Sequence, residues 1–252
     1  MSSPSTVEEI YAGYQMRLLV YAPPGHGKTT LFGTALGDER FDPILLLDFD
    51  AGTSSIISKC RQIEIDDLGS PIEGKIDVIN ITTWEDFDRV YAFLLDHADA
   101  YRTVGIDSLS ETNYLCLQHC QSLAVERAKS SNRVRDPDIP EQQDYQRDAI
   151  LMRRLVRFFR DLGLHLVMTA HRAEDGGKLS PLLVGRLREE LPALVETVGY
   201  LGLDEADGEV VRILITAPTL RFFAKDRSEG GKLGSEVVNP TLPKLLDMLQ
   251  GE

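Results

Sequence analysis

Residues 22–30 of the chain read APPGHGKTT and have the residue types of a phosphate-binding loop. In such a loop backbone N–H groups face the anion, a lysine reaches the β- and γ-phosphates, and the next hydroxyl ligates Mg²⁺. Lys28 and Thr29 occupy these two positions. Ala22 replaces the first glycine of the usual pattern, a mild change because a methyl group still permits a tight turn. The predicted nucleotide-binding residues are Pro24, Gly25, His26, Gly27, Lys28, Thr29 and Thr30.

Two aspartates that follow apolar runs could complete a site for metal-dependent phosphoryl chemistry. Asp107 follows the run at 104–106, where a carboxylate would hold Mg²⁺ opposite Thr29. Asp50 follows the run at 44–49, where a carboxylate can orient or activate the attacking water. Each has a plainer alternative, since Asp107 could cap the next helix and Asp50 could simply belong to a turn.

A histidine stands at a third strand end. His171 follows the apolar run at 164–168, where a polar side chain could sense the γ-phosphate and pass its state to the loop that follows. A lone histidine is also commonly structural, so both interpretations stay open at this point.

The elements that position these residues alternate along the chain. The first apolar run of strand type covers residues 16–21, directly before the loop. Similar runs recur at 44–49, 76–81, 101–106 and 164–168, separated by helical patterns. This order predicts an α/β fold with a mostly parallel, twisted sheet flanked by helices. A hairpin near the C-terminus would add antiparallel strands.

We predict a single domain over residues 1–252, because no repeat or linker divides the chain. Residues 1–15 would be a lead-in to the first strand. Residues 129–145 and 173–180 are polar and rich in turn-forming residues, so we expect two irregular, mobile loops there.

Composition limits the class of protein. The net charge of −13 argues against a protein that coats nucleic acid by bulk charge, although a local basic groove is compatible with it. No apolar run approaches the ~20 residues that a membrane span needs. The three cysteines make no disulfide framework and the N-terminus lacks the features of a signal peptide. We therefore expect a cytoplasmic protein without a membrane partner.

The motifs APPGHGKTT, LLLDFDAG, VGIDS, LVMTAH and FFAKDR together resemble those of the RecA-like P-loop ATPases. More narrowly, the chain resembles the phage-encoded, core-only RecA-like proteins of the Sak type, often labelled phage AAA-domain proteins. The resemblance covers residues 16–227. It implies a RecA-like P-loop core, ATP and Mg²⁺ as ligands, and the cytoplasm of a bacterial host.

The resemblance also assigns roles to residues. Asp50 falls where RecA-like proteins carry a catalytic glutamate, and the shorter side chain puts the hydrolysis rate in question. His171 falls near a residue that senses the γ-phosphate. Lys225 and Arg227 match cations that reach across a subunit interface, which implies a homo-oligomer with nucleotide at the interface. The predicted catalytic residues are Lys28, Asp50, Asp107, His171, Lys225 and Arg227.

Two basic segments match, by resemblance, the loops that line a DNA path. Contacts from them to phosphates would give salt-dependent binding of single-stranded DNA, independent of sequence. Neither segment contains an aromatic side chain except Tyr145 at one margin, and acidic neighbours dilute the charge, so a solvated basic face is the alternative. The predicted DNA-binding residues are Arg127, Lys129, Arg133, Arg135, Arg172 and Lys178.

These inferences predict a Mg²⁺-dependent ATPase that couples ATP to single-stranded DNA binding or annealing in phage recombination or replication. Further partners would be a single-strand binding protein or another recombination protein. Two alternatives stay open. One is a nucleotide-switched binding module with little turnover that recruits a partner of DNA metabolism. The other is a motor or helicase-loader ATPase of a neighbouring P-loop family.

Overall fold

The computed structural model describes residues 13–97, 99–206 and 208–251. Most of the predicted lead-in, residues 1–12, lies outside the described residues. The strands in chain order are β1 (Arg17–Ala22), β2 (Ile44–Asp48), β3 (Cys60–Gln62), β4 (Ile76–Asn80), β5 (Thr103–Asp107), β6 (His165–Asp175), β7 (Lys178–Pro181), β8 (Thr197–Ala206), β9 (Glu209–Ile215), β10 (Lys225–Asp226) and β11 (Glu236–Val238).

The α-helices alternate with the strands over most of the chain. Short 3₁₀ segments at Gly52–Lys59 and Ile65–Asp67 lie between β2 and β4. The α-helices in chain order are α1 (Lys28–Phe32), α2 (Trp84–Asp96), α3 (Leu109–Ser130), α4 (Gln142–Arg160), α5 (Leu187–Leu194) and α6 (Leu242–Gln250).

One sheet organises the molecule, with strand order β11-β9-β8-β1-β6-β5-β2-β4-β3. The strands from β8 to β3 along this order are parallel to one another. Antiparallel pairs β8–β9 and β9–β11 extend the sheet near the C-terminus. Strand β6 lies between β1 and β5, so the strand before the phosphate loop and the strand of Asp107 flank it. The predicted α/β fold class, a mostly parallel sheet flanked by helices with an antiparallel extension near the C-terminus, is confirmed.

Two hydrophobic cores cover the two faces of the sheet, because successive strand side chains point to opposite faces. In β1, Leu19 and Tyr21 join one core, which α2 to α5 cover. Leu18 and Val20 join the other core with α1 and α6. The central parallel strands are therefore apolar on both faces and appear in the sequence as continuous apolar runs.

The two segments predicted to be mobile loops contain more regular structure than expected. Helix α3 extends to Ser130 and α4 begins at Gln142, so residues 131–141 are all that remain of the first loop. Residues 173–180 were expected to be irregular, but β6 and β7 form an antiparallel hairpin there. The end of β6 is polar and mostly exposed and β7 has only four residues, so neither shows the apolar alternation by which a sequence reveals a strand.

Within the described ranges, no helix combines the length and the apolar composition that crossing a bilayer would require.

Candidate functional site

The phosphate loop joins the C-terminal end of β1 to the start of α1. Gly25 and Gly27 adopt φ angles of 80° and 97°, which side chains with a Cβ rarely adopt. Ala22 is fully buried, so the residue that replaces the usual glycine packs as the last residue of the strand. The predicted nucleotide-binding residues 24–30 therefore form one continuous loop and helix start, as their sequence predicts.

Lys28 lies inside this loop. Its Nζ atom is 3.3 Å from both the Ala22 and the Pro23 carbonyl oxygens, and the residue is 8% exposed. Burial lowers the pKa of Lys28, and the carboxylates of Asp107 and Asp50 oppose this shift. An ammonium group held in a glycine-rich loop beside carboxylates is suited to binding a phosphate.

Asp107 is held between two threonine hydroxyls at the C-terminal end of β5. Thr29 donates to Asp107 Oδ2 over 2.6 Å, and Thr169 of β6 donates to Asp107 Oδ1. Asp107 is 1% exposed and Thr169 is fully buried. A carboxylate and a hydroxyl in contact are hard oxygen donors, the type that Mg²⁺ prefers, so Thr29 and Asp107 fit a Mg²⁺ site.

Asp50 and His171 meet beside this pair. His171 Nε2 lies 3.3 Å from Asp50 Oδ2, and the Ser108 hydroxyl donates to Asp50 Oδ1 over 3.0 Å. Burial raises the pKa of Asp50, and the nearby His171 opposes this shift. Asp48 orders the same turn, because its Oδ1 accepts hydrogen bonds from the backbone N–H groups of Asp50 and Gly52.

The geometry of the sheet explains why these residues meet. In the parallel register Ala22 is the partner of His171, and Asp48 is the partner of Asp107. Carboxyl ends of parallel strands lie at the same edge, where open α/β sheets bind ligands. The structure therefore brings four of the predicted catalytic residues to one edge, namely Lys28, Asp50, Asp107 and His171.

Glu111 also belongs to this group and was not predicted. Its Oε1 atom lies 3.7 Å from His171 Nε2, so one imidazole nitrogen faces the carboxylates of both Asp50 and Glu111. Carboxylate and imidazole atoms of Asp50, Glu111 and His171 all lie within 4.8 Å of one another. A sequence signal existed, since Ser108 caps α3 by accepting the Glu111 N–H, a spacing that a capping pattern predicts.

In the part of the chain that the structure describes, Lys225 and Arg227 form no hydrogen bond or ion pair with the residues at this edge of the sheet, namely Lys28, Asp50, Asp107, Glu111 and His171. Lys225 Nζ donates to the Pro192 and Val195 carbonyl oxygens of the same chain, the first over 2.6 Å. Burial lowers the pKa of Lys225 to about 8, and the adjacent Arg227 adds to the shift. Arg227 is exposed, and within the described residues its side chain forms no ion pair. The predicted role of both cations at a subunit interface stays a prediction.

The six predicted DNA-binding residues differ in how free their charges are. Arg127 and Lys129 are exposed in the last turn of α3. Arg135 is nearly buried and forms ion pairs with Asp144 and Glu141. The others are at the surface and have their own contacts: Arg133 lies 3.7 Å from Glu141, Arg172 lies 2.7 Å from Glu174, and Lys178 lies 5.7 Å from the centre of the Phe223 ring. DNA binding by this set stays a prediction.

A family model described as an AAA domain matches residues 14–228, a range that includes the phosphate loop and every residue of the edge group. The crystal structure of a KaiC-like protein from the hyperthermophilic archaeon Pyrococcus horikoshii OT3 is similar, with 16% identity, 88% of each chain covered and a TM-score of 0.47. Comparison with curated proteins finds no match.

Proposed function

The chain belongs to the family of AAA domains, and from this premise we propose that it binds ATP with Mg²⁺ and hydrolyses it. One observation supports the proposal above all others. The Thr29–Asp107 hydrogen bond of 2.6 Å and the Asp50–His171 contact of 3.3 Å lie at the same edge of the sheet as the phosphate loop. A metal-binding pair and a carboxylate base beside a phosphate cradle are the parts that phosphoryl transfer to water requires.

The four predicted catalytic residues at this edge, Lys28, Asp50, Asp107 and His171, have distinct roles in this reaction. The loop N–H groups and Lys28 bind the phosphates and stabilise charge that develops on them. Asp50 accepts a proton from the attacking water as the water oxygen bonds to the γ-phosphorus and the bond to the β-phosphate oxygen breaks. Ser108 and His171 hold the Asp50 carboxylate in place. Mg²⁺ bound by Thr29 and Asp107 would neutralise charge on the phosphates.

We further propose that the ATPase acts on single-stranded DNA, in phage recombination or replication within the bacterial cytoplasm. The proposal rests on the resemblance to phage RecA-like proteins, and two surface features are compatible with it. Arg127 and Lys129 extend from the end of α3 with exposed side chains, and Arg133 follows them in the next loop. Exposed cations on one segment can bind phosphates in a salt-dependent way. A homo-oligomer with nucleotide at its interfaces belongs to the same proposal.

The proposal is tested by ATP hydrolysis measured with and without single-stranded DNA over a series of salt concentrations. Lys28→Ala should abolish hydrolysis, because the phosphates lose their cation. Lys75→Ala is the matched control and should keep full activity, because this partly exposed lysine donates from Nζ to the Ser58 carbonyl and, among the described residues, has no contact with the phosphate loop. Unchanged turnover in Lys28→Ala would contradict the role of the loop.

The proposed stimulation by DNA is tested with a second pair of variants. Stimulation by DNA should decline with salt and should be lost in an Arg127→Gln, Lys129→Gln double variant. Arg89→Gln removes an exposed arginine of α2 that is paired with Asp66. This control variant should keep the stimulation by DNA. A hydrolysis rate that DNA does not change at any salt concentration would support the ATPase activity but contradict its coupling to DNA.

A second candidate function is a nucleotide-switched binding module with little turnover. A specific observation favours it, since Arg135 and Arg172 are paired with acidic residues of their own chain and offer less charge to DNA. The same assay separates the two candidates. Tight ATP binding with negligible hydrolysis, with and without DNA, would favour the module over the ATPase.

A further inference from the structure

A guanidinium group from the antiparallel extension lies against the phosphate loop. Arg212 belongs to β9, far from the loop in sequence, and its Nε atom donates to the His26 carbonyl oxygen over 3.1 Å. His26 is the loop residue directly before Gly27 and Lys28. The sequence patterns that identify the loop give no reason to connect it with this arginine.

The contact with Gly27 shows how closely the arginine approaches. A Cβ atom built on Gly27 would lie 2.5 Å from Arg212 Nε, closer than real Cβ contacts permit. The guanidinium therefore occupies the space that a side chain at position 27 would need. Within the described ranges, Arg212 forms no ion pair with a carboxylate, and the residue is exposed. Among the described residues, the guanidinium's one hydrogen-bond partner is therefore the neutral His26 carbonyl, so a permanent positive charge lies at the loop.

The backbone of Arg212 is fixed where it stands. Its N–H donates to Asn239 Oδ1 over 3.2 Å, and the Asn239 N–H donates back to the Arg212 carbonyl over 2.7 Å. Arg212 also pairs with Leu203 of β8 in the hairpin register. The side chain can exchange partners while its strand stays in place, because the hydrogen bond to His26 uses only Nε.

A cavity continues from the loop past this arginine. Its volume is about 210 Å³, and it lies between α1 and the β8–β9 hairpin. Complete small-molecule sites usually have about 300–1,000 Å³, so this cavity suits one part of a ligand whose phosphates lie in the loop. Leu31 and Leu201 give it apolar surface, and Thr30 and Asn239 give it polar groups.

We propose that Arg212 is a phosphate-binding residue of the nucleotide site, supplied by the same chain, which exchanges its hydrogen bond to the His26 carbonyl for one to the nucleotide phosphates. This inference rests on the proposed function, since it presumes that the loop binds a nucleotide. A guanidinium offers five N–H donors in a planar fork that matches phosphate oxygens. The role is that of a binding and positioning residue, because the structure shows its contact with the loop and none with the water-activating group.

The inference is tested by equilibrium binding of ATP, ADP and adenosine to purified protein, with EDTA present so that metal does not contribute. Arg212→Gln should weaken ATP and ADP binding by about 10- to 100-fold, the loss expected for one hydrogen bond to a charged group. Adenosine affinity should stay within about twofold. Arg212→Lys should fall between wild type and Arg212→Gln, because lysine keeps the charge without the fork.

The control is Arg102→Gln, which removes an exposed arginine directly before β5 at the opposite end of that strand from Asp107. It should bind all three ligands as wild type does. Thermal unfolding of each variant checks that the hairpin remains folded.

The outcomes distinguish the inference from the proposed function. Wild type that binds no ATP would overturn the nucleotide site itself. Wild type that binds ATP together with an Arg212→Gln variant of equal ATP affinity would overturn only the role of Arg212. Equal losses for ATP and adenosine would also overturn it, because the arginine would then contact the nucleoside and not the phosphates.

Discussion

The imidazole Nε2 of His171 lies 3.3 Å from the carboxylate Oδ2 of Asp50, although their strands, β6 and β2, are not neighbours in the sheet. Strand β5 runs between them, and the Ser108 hydroxyl that follows it contacts the other oxygen of Asp50. The proposed base is thus held by two residues, His171 within β6 and Ser108 directly after β5. A short aspartate can keep a defined position in this way where a longer side chain would have more freedom.

We expect Asp50→Asn to lower kcat by about 10²- to 10⁴-fold, the usual contribution of a general base. ATP affinity should change little, because the phosphates are bound by the loop and Lys28. Single-turnover hydrolysis and equilibrium binding measure the two quantities separately. Asp88→Asn, at an exposed position of α2, is the matched control and should keep wild-type kcat.

His171→Ala should lower kcat less than Asp50→Asn does, since Ser108 would still hold one oxygen of Asp50. The double variant should lose little more than Asp50→Asn alone, because residues that act as one unit are not additive. Fully additive losses would mean that His171 acts independently of Asp50.

The sequence indicates the sheet and its edge residues for a clear physical reason. Buried parallel strands must be apolar on both faces, so β2 appears as a continuous run, and polar residues directly after such runs must lie at one edge. The contacts of Glu111 and Arg212 could not be predicted in the same way. Both depend on how far a side chain reaches between elements, and a pattern of residue types does not contain that distance.

The ion pairs that the basic residues form could not be predicted from the sequence either. Arg135 appears in the sequence as a basic loop residue, whereas the structure buries it against Asp144 of α4. Its side chain is 7% exposed, so most of its charge is unavailable to an external phosphate. A sequence shows which cations are present, but tertiary packing decides which of them meet a carboxylate first.

Two valine substitutions separate metal binding from structure at Asp107. Thr29→Val should remove the gain in ATP affinity that Mg²⁺ gives over EDTA, because the hydroxyl is a proposed ligand. Its affinity in EDTA should match wild type. Thr169→Val should instead lower the free energy of unfolding by about 1–3 kcal/mol, since it leaves a buried oxygen of Asp107 without a partner.

Nucleotide titrations with Mg²⁺ or EDTA and denaturant unfolding check these two expectations. A Thr29→Val variant that keeps the full effect of Mg²⁺ would argue against the metal site. A Thr169→Val variant as stable as wild type would show that Asp107 finds another donor.

Asp148 of α4 predicts a dependence of stability on pH. The residue is 1% exposed, and the Asn113 side-chain amide donates to both of its oxygens over 2.9 Å. Burial raises its pKa to about 6 from an ordinary value of 3.8, and the hydrogen bonds oppose this only in part. Because the native pKa is the higher one, the folded protein binds this proton more tightly than the unfolded chain. The stability that it contributes is therefore present at low pH and is lost as the pH rises through about 6.

Asp148→Asn removes this titration. The free energy of unfolding of wild type minus that of the variant should fall by about 3 kcal/mol as the pH rises from below about 3 to above about 7. Denaturant unfolding of both proteins at several pH values measures this difference. The contributions of the other carboxylates are the same in both proteins and therefore cancel. A difference that stays constant across this range would show that Asp148 titrates as an ordinary carboxyl group.

Lys225 and Arg227 should differ sharply in what they contribute. Lys225→Met should lower the free energy of unfolding by about 1–3 kcal/mol at any protein concentration, because buried carbonyls of Pro192 and Val195 lose their donor. Arg227→Ala should change stability by no more than about 0.5 kcal/mol, as exposed substitutions usually do. If Arg227 completes the site of a neighbouring subunit, wild-type ATPase activity will rise more than linearly with protein concentration, and Arg227→Ala will remove that excess.

Arg157→Ala, at an exposed position of α4, is the matched control and should keep the concentration dependence of wild type. Hydrolysis rates across a dilution series, read beside the mass of the species in solution, make the comparison. A hydrolysis rate strictly proportional to protein concentration, from a stable monomer, would contradict a role for Arg227 in the site of a neighbouring subunit. Lys225 would then keep only its place within one chain, where its ammonium joins β10 to the end of α5.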